Sequence, residues 1–388
     1  VVATLLEKDP SKRFFTASVL EQVLREGESS PWWLSREMAA RIAEGGRALR
    51  KAGIVRDAAF VGRAAEMAKL GKMVANTIDG TAGRVLVIDG DTGIGKSRLL
   101  DEVVRRLEMI TPRPTILYGS CPPDGTGYAG IASAVVDYFG VGAIDSRLAG
   151  FVAGPPALVA AFSTLLTGIG VAAGQRMSDD TVQGLFAELA DNIAKRRPVL
   201  WIIDNVHFAS PETQRVIQLL AHKTQSNRIL LILSGRSSVA LENIVNDTLL
   251  SNAERIRLNP LSPREVVTLV TQKVSRPSLA EDLGNVLAER LDGNPLFILE
   301  TLREFQDDGT ITELVENPAA GRRRIDASTS ASSVRGLVLS RLRHISDEER
   351  SILEIAATIG FEFDPDLVSR VAGEARLGVL QTLSSLER

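Results

Sequence analysis

Arg84-Val85-Leu86-Val87-Ile88-Asp89-Gly90-Asp91-Thr92-Gly93-Ile94-Gly95-Lys96-Ser97-Arg98-Leu99-Leu100 is the stretch that decides the fold. An apolar run of strand length ends in a glycine-rich turn with the spacing GxxxxGK(S/T), and an amphipathic segment follows through Leu107. Each part has a chemical reason. Glycines let the backbone wrap an anion with its N–H groups, and the helix N-terminus adds a favourable partial charge. Lys96 can reach terminal phosphates, and the Ser97 hydroxyl suits magnesium. The pattern predicts a phosphate-binding loop at Gly90–Ser97, with Arg98 counted in the binding segment, that takes a nucleoside triphosphate or diphosphate with Mg2+.

Outward from this loop, further short apolar runs at 115–118, 198–204, 229–234 and 255–258 alternate with helical segments. That alternation predicts a three-layer α/β domain with a parallel sheet. The run at 198–204 closes on Asp204, a second magnesium anchor at the end of a buried strand. Asn205 follows it. An amide can hold a water but cannot take its proton, so slow hydrolysis is expected unless a carboxylate such as Glu212 or Asp91 substitutes. Arg236, just after the 229–234 run, is either a sensor of the terminal phosphate or an ordinary surface arginine. His207 reads as a packing or hydrogen-bonding residue of the loop rather than a base.

The chain has 388 residues, enough for two or three domains, with 44% hydrophobic and 24% charged residues as in globular proteins. Its formal net charge of −3 gives no global basic field for nucleic acid or an anionic membrane. One cysteine, Cys121, excludes an internal disulfide, and the three histidines lack metal-ligand spacing, so a cytoplasmic setting is expected. The uncharged stretch 148–175 has the length of a membrane span, but its glycines and Pro155-Pro156 favour buried helices with a break. The chain starts at Val1 and stops inside a helical pattern, as expected of a piece of a longer protein.

Beyond Pro260 the pattern is helical, and the polar stretch 317–333, with Arg322-Arg323-Arg324, reads as an exposed connection. At the front, LLEKDPSKRFFTASVLEQVL resembles the C-terminal end of a serine/threonine protein kinase domain; read without that resemblance, it is a helical hairpin turning at Asp9-Pro10. In the resemblance, Arg13 pairs with an acidic residue of the activation segment. No kinase glycine loop, catalytic loop or DFG is present, so this chain cannot phosphorylate protein.

Taken in order, Phe60-Val61-Gly62-Arg63, the phosphate loop, IIDNVHFASPET, LSGRS, LNPLSPREV and LDGNPLFILETL resemble the STAND class of P-loop ATPases. More narrowly, they resemble the AAA-type ATPase module found behind kinase domains in large bacterial serine/threonine kinases. The resemblance implies ATP or ADP as the ligand. It implies that Val61, Gly62 and Arg63 and the Gly293-Asn294-Pro295 turn close over adenine and ribose, although Pro295 is also a good helix-start proline on its own. Asn205 departs from the family's second acid, and Phe208 and Ser210 stand where tryptophan and aspartate are common.

The expected organisation is a kinase remnant at 1–25, a linker helix at 26–58, the ATPase domain at 59–260, a helical lid at 261–332 and a truncated winged-helix-like domain at 333–388. The expected function is a nucleotide-dependent regulatory switch in bacterial signal transduction, working on attached domains of a longer chain and with self-association on ATP binding implied by the family. The alternatives are a hydrolysis-deficient ATP-binding scaffold for protein partners and a DNA-binding regulator. No basic face marks 333–388, where arginines and acidic residues are interspersed.

Overall fold

The computed structural model describes residues 60–80, 82–107, 113–123, 127–140, 144–168, 177–238, 253–274, 276–327, 345–360 and 363–386, with Glu21, Arg25, Leu241, Glu242, Ile244, Gly336 and Leu342 besides. The kinase-like stretch, save those first two positions, and the linker with Trp32 and Trp33 lie outside the described residues.

Five strands, β1 (Arg84–Asp89), β2 (Thr115–Ser120), β3 (Val199–Asp204), β4 (Ile229–Gly235) and β5 (Ala253–Arg257), form one sheet in the order β2-β3-β4-β1-β5. β2 runs parallel to β3 and β3 to β4, with Ser120 opposite Asp204 and Ile203 opposite Leu233. Every residue of β3 and β4 is buried. Continuous burial means that both faces are covered, which requires helices on both sides and suits strands written as unbroken Val/Ile/Leu runs. At the sheet margin β5 is more polar and only Ile256 is buried. This is the P-loop NTPase α/β fold, and each strand begins or ends within two residues of the run read from the sequence.

Helix α1 (Ala64–Asp79) precedes β1, and α2 (Lys96–Leu107) follows the glycine loop. The described residues divide into two compact units. The first comprises Lys69–Val87 and Val104–Arg255, with Glu21 and Arg25; the second takes residues 60–68, Ile88–Val103, and the described residues from Ile256 on.

In the first unit, α3 (Ala129–Phe139), α4 (Ile144–Leu148), α5 (Pro156–Thr167), α6 (Asp179–Arg196) and α7 (Pro211–Lys223) contribute to one core with the strands. Trp201, Phe162 and Phe186 are fully buried there, and the last two meet edge to face with centroids 5.2 Å apart. Helix α5 lies within the uncharged stretch 148–175. It starts behind Gly154-Pro155 and stops at Gly168, so it runs only 12 residues. Among the described residues no helix is long and apolar enough to cross a membrane.

In the second unit, α8 (Pro263–Thr271), α9 (Pro277–Arg290), α10 (Pro295–Asp307), α11 (Thr310–Glu316) and α12 (Pro318–Ala327) enclose a core of Val266, Leu287, Ile298, Phe305 and their neighbours. Proline opens four of the five, the position where its missing N–H costs nothing. Helices α13 (Asp347–Ile359), α14 (Pro365–Ala372) and α15 (Arg376–Leu386) surround a smaller core of Ile352, Ala356, Val368 and Val379.

Helix α12 corrects the reading of 317–333 as a connection. Gly321 lies so close to Leu314 that an added Cβ would fall 2.4 Å from its Cα, which seats the helix on α11. Ile325 is its buried apolar anchor, and Arg290 donates to the Ile325 carbonyl at 2.7 Å. The arginines that made the stretch read as solvated have partners, Arg322 with Asp282 at 3.0 Å and Arg324 with Glu313 at 2.8 Å.

Candidate functional site

The phosphate-loop residues belong to the second unit. The strand ends on Asp89, whose carbonyl accepts from Leu258 N at 2.8 Å. The chain then turns through Gly90, Gly93 and Gly95 at φ +157°, +80° and +99°, and Ile94, 2% exposed, anchors the turn. Two of these glycines serve opposite needs. A Cβ on Gly93 would fall 2.5 Å from Leu296 Cβ, so Gly93 permits protein to approach from one side. A Cβ on Gly95 would meet nothing within 4 Å, so its positive φ faces a space left clear in front of the start of α2. Such a clear cradle, bordered by the first N–H groups of a helix, fits a phosphate group.

Lys96 is buried at 8% exposure, and its Nζ donates to Gly90 O at 2.9 Å and Asp91 O at 2.8 Å. The ammonium thus closes the loop on its own carbonyls. Ser97 is exposed and Arg98 half-buried, both in the first turn of α2, while Asp91 and Thr92 are exposed at the crest of the loop.

Two neighbours of the loop come from far away in the chain but from the same unit. The first is the segment Val61-Gly62-Arg63. Arg63 has a left-handed backbone, φ +62°, and a buried guanidinium that donates to Ile94 O at 3.1 Å and approaches Glu66 at 3.4 Å. Behind it stands Glu265, which forms a capping box with Ser262 at the start of α8. Gly62, at φ +70°, leaves room for that carboxylate, because an added Cβ would fall 2.3 Å from Glu265 Oε1. Burial works to raise the Glu265 pKa, but the hydrogen bonds from Ser262, the Arg63 charge and the Arg63 backbone N–H outweigh it, and the carboxyl is held below its ordinary range.

The second neighbour is the start of α10. Asn294 caps that helix, its Oδ1 accepting from Leu296 N at 3.1 Å, while its Nδ2 donates to Thr92 O at 3.0 Å. Leu296 N also approaches Gly93 O at 3.3 Å. Pro295, the first helical residue, is half-buried between them. The turn before it has Asp292 and Gly293 at φ +48° and +65°, and Leu261 N donates to Gly293 O at 2.9 Å.

Asp204, Asn205 and Arg236 belong to the first unit. Asp204 is 3% exposed at the end of β3; its carboxylate accepts from Tyr118 OH at 3.3 Å and from Asn205 N at 2.8 Å. Asn205 adopts the left-handed conformation at φ +55°, which asparagine tolerates better than most side chains, and its amide donates to Ser120 Oγ at 3.0 Å. Beside them, burial and then the Asp204 charge push the Cys121 thiol up to about 12. Arg236 follows β4 directly, and its Nε donates to His207 Nε2 at 3.1 Å. Among the described residues no cluster of three or more His, Cys, Asp or Glu is arranged to hold a metal ion.

The structure therefore gathers Arg63, Gly93, Ile94, Lys96 and the Asn294-Pro295 turn in one unit, and Asp204, Asn205 and Arg236 with Tyr118 and Ser120 in the other. Sequence reading missed three participants. Tyr118 and Ser120 stand two apart on β2, and only the register opposite Asp204 gives them meaning. Glu265 sits three residues after Ser262, a legible capping-box spacing.

A glycine loop running from the end of a strand into a helix, with an acid ending a buried strand of the same sheet one strand removed, defines the P-loop NTPase class. Residues 59–232 match the AAA ATPase domain family, and the chain carries an AAA-type P-loop ATPase domain. Nucleotide binding follows from that match. An uncharacterized protein of Rhizobium meliloti is 28% identical over 271 residues; the match takes in 62% of this chain and only 24% of that protein's length.

Among solved structures, the Aeropyrum pernix ORC1 protein in complex with DNA aligns with a TM-score of 0.46 and 16% identity, over 86% of this chain and 85% of that one. A STAND protein with a tetratricopeptide repeat sensor from Pyrococcus horikoshii also aligns at 0.46, with 17% identity over 87% of this chain and 40% of that one. A Thermotoga maritima RuvB variant aligns at 0.38, with 12% identity over 82% of this chain and 84% of that one.

Proposed function

We propose that this chain is a STAND-type regulatory ATPase module, in which ATP or ADP bound with magnesium at the phosphate loop sets the state of a helical lid and signals to attached domains. One observation carries the reading. The loop that would hold the phosphates already hydrogen-bonds to the lid and to the segment before α1, through Asn294 to Thr92 and Arg63 to Ile94. A change in the loop is thereby felt directly by α10 and by residues 61–63.

In this reading Lys96 turns from its own loop carbonyls to the terminal phosphates, Ser97 and Asp204 hold magnesium, and Arg236 senses the terminal phosphate. Asn205 slows turnover. Its amide donates to Ser120 and cannot accept a proton from water, so the site favours holding nucleotide over consuming it. That same geometry favours a second reading, a hydrolysis-deficient ATP-binding scaffold for protein partners. The resemblance of the first residues to a kinase end supports a link to a serine/threonine kinase in the longer protein, and a cytoplasmic location accords with that role.

Nucleotide affinity and steady-state hydrolysis, measured with magnesium for wild type, Lys96→Ala and Asn205→Asp, test the proposal. Wild type should bind ATP and turn it over slowly, and Lys96→Ala should lose binding by about tenfold to a hundredfold. Asn205→Asp should raise turnover about tenfold or more, since the Ser120 hydroxyl can reverse and donate to a carboxylate there. No turnover in wild type would leave the scaffold reading; no nucleotide binding would sink both.

A further inference from the structure

We infer that His207 is the positioning residue for Arg236, and that the imidazole sets how the end of β4 distinguishes a triphosphate from a diphosphate. The inference deepens the proposed function and rests on the sensing role given there to Arg236.

The geometry begins at Asn205, whose left-handed backbone turns the chain into the short 3-10 segment Val206–Phe208. That turn carries the His207 ring against the last residues of β4. Gly235 allows it, because an added Cβ would lie 3.4 Å from His207 Nδ1 and 3.0 Å from Val206 Cγ2. The ring is gripped from its other neighbour by Phe208, whose centroid is 4.0 Å away, and the Arg236 guanidinium carbon lies 5.7 Å from the Phe208 centroid.

Arg236 presents two donors to this ring, Nε to Nε2 at 3.1 Å and the backbone N to Nδ1 at 3.4 Å. A neutral imidazole accepts through one nitrogen only, so the two donors compete for it, and the shorter contact, from the charged donor, is the stronger. Nε is the donor nearest the chain. Holding it there fixes the plane of the guanidinium while leaving the four N–H bonds of its two terminal nitrogens outside this contact.

The choice of acceptor matters as much as the contact. A carboxylate would hold the arginine more strongly but cancel its charge, and the residue would then attract an anion poorly. A neutral imidazole orients the guanidinium and leaves the full positive charge available. No carboxylate among the described residues is paired with Arg236.

The test measures ATP and ADP affinities, with magnesium, for wild type, His207→Phe, His207→Gln, Arg236→Ala and the double variant Arg236→Ala/His207→Phe. Phenylalanine keeps the ring against Phe208 and removes the acceptor; glutamine keeps an acceptor and removes the ring. His207→Phe should reduce the ATP-over-ADP preference about tenfold, with ADP affinity changed less than about twofold. His207→Gln should recover most of the preference, and His207→Phe should add nothing in the Arg236→Ala background.

If Arg236→Ala loses the preference and His207→Phe keeps it, or if the two losses add in the double variant, the inference is overturned while the Arg236 role stands. A wild type without preference, or an Arg236→Ala protein that keeps it, overturns both.

Discussion

Glu265 shows how much one side chain at the loop's edge can settle. It closes the capping box with Ser262, neutralises part of the Arg63 charge and receives the Arg63 N–H in the gap left by Gly62. Its carboxyl is held below the ordinary value, so its contribution to stability is complete above that value, about 4.3, and is lost as pH falls through the lower folded value. Glu265→Gln should cost about 1 kcal/mol at pH 7, and denaturant titrations repeated toward pH 3 should show wild type and variant converging. Cys121 makes a second prediction. With its thiol pushed up to about 12 and its side chain buried, it should react with maleimide at pH 8 at least about tenfold more slowly in the folded protein than in denaturant. Of these residues, sequence alone marked Lys96, Asp204 and Asn205, because motif spacing encodes them. Tyr118 and Ser120 were not legible, since what matters is the strand register across the sheet rather than anything near them in the chain.

At the scale of elements, the strands and several helices of the second unit were readable because each carries a local signal. The buried strands are continuous apolar runs, and helices α8, α10 and α14 are announced by Ser262, Asn294 or Asp364 followed by proline. Helix α12 was not readable as a helix. Gly321 and the run Arg322-Arg323-Arg324 give it the look of a solvated connection, and tertiary partners seat it, Leu314 against Gly321 and acids opposite two of its arginines. Gly321→Leu should therefore destabilise the protein by about 2 to 3 kcal/mol, seen as a lower denaturation midpoint, while Arg323→Ala, an exposed position on the same helix, should change it by less than about 0.5 kcal/mol. The C-terminal helices α13 to α15 form their own small core, and their winged-helix-like reading came from the family resemblance rather than from the sequence pattern.

For the whole molecule, the P-loop fold and the AAA-type domain were legible from a few dozen residues, whereas the partition into two compact units was not, since it depends on contacts between distant segments. A ligand that binds only the folded state stabilises it by mass action, so ATP at a hundredfold above its dissociation constant should add about 2.7 kcal/mol. Thermal unfolding with and without ATP and magnesium should show that gain in wild type and about 1.4 kcal/mol or less in Lys96→Ala. The interleaving of the units has a practical corollary for anyone trimming the chain. Between residue 60 and residue 386 the polypeptide passes from one unit to the other four times, at 68/69, 87/88, 103/104 and 255/256. A fragment ending at Arg255 would keep both nucleotide motifs in its text yet lose Leu258, Glu265, Asn294 and Leu296, the residues that hold the loop and its arginine in place. What is shortest to recognise in this protein is shorter than what is able to stand as a working part.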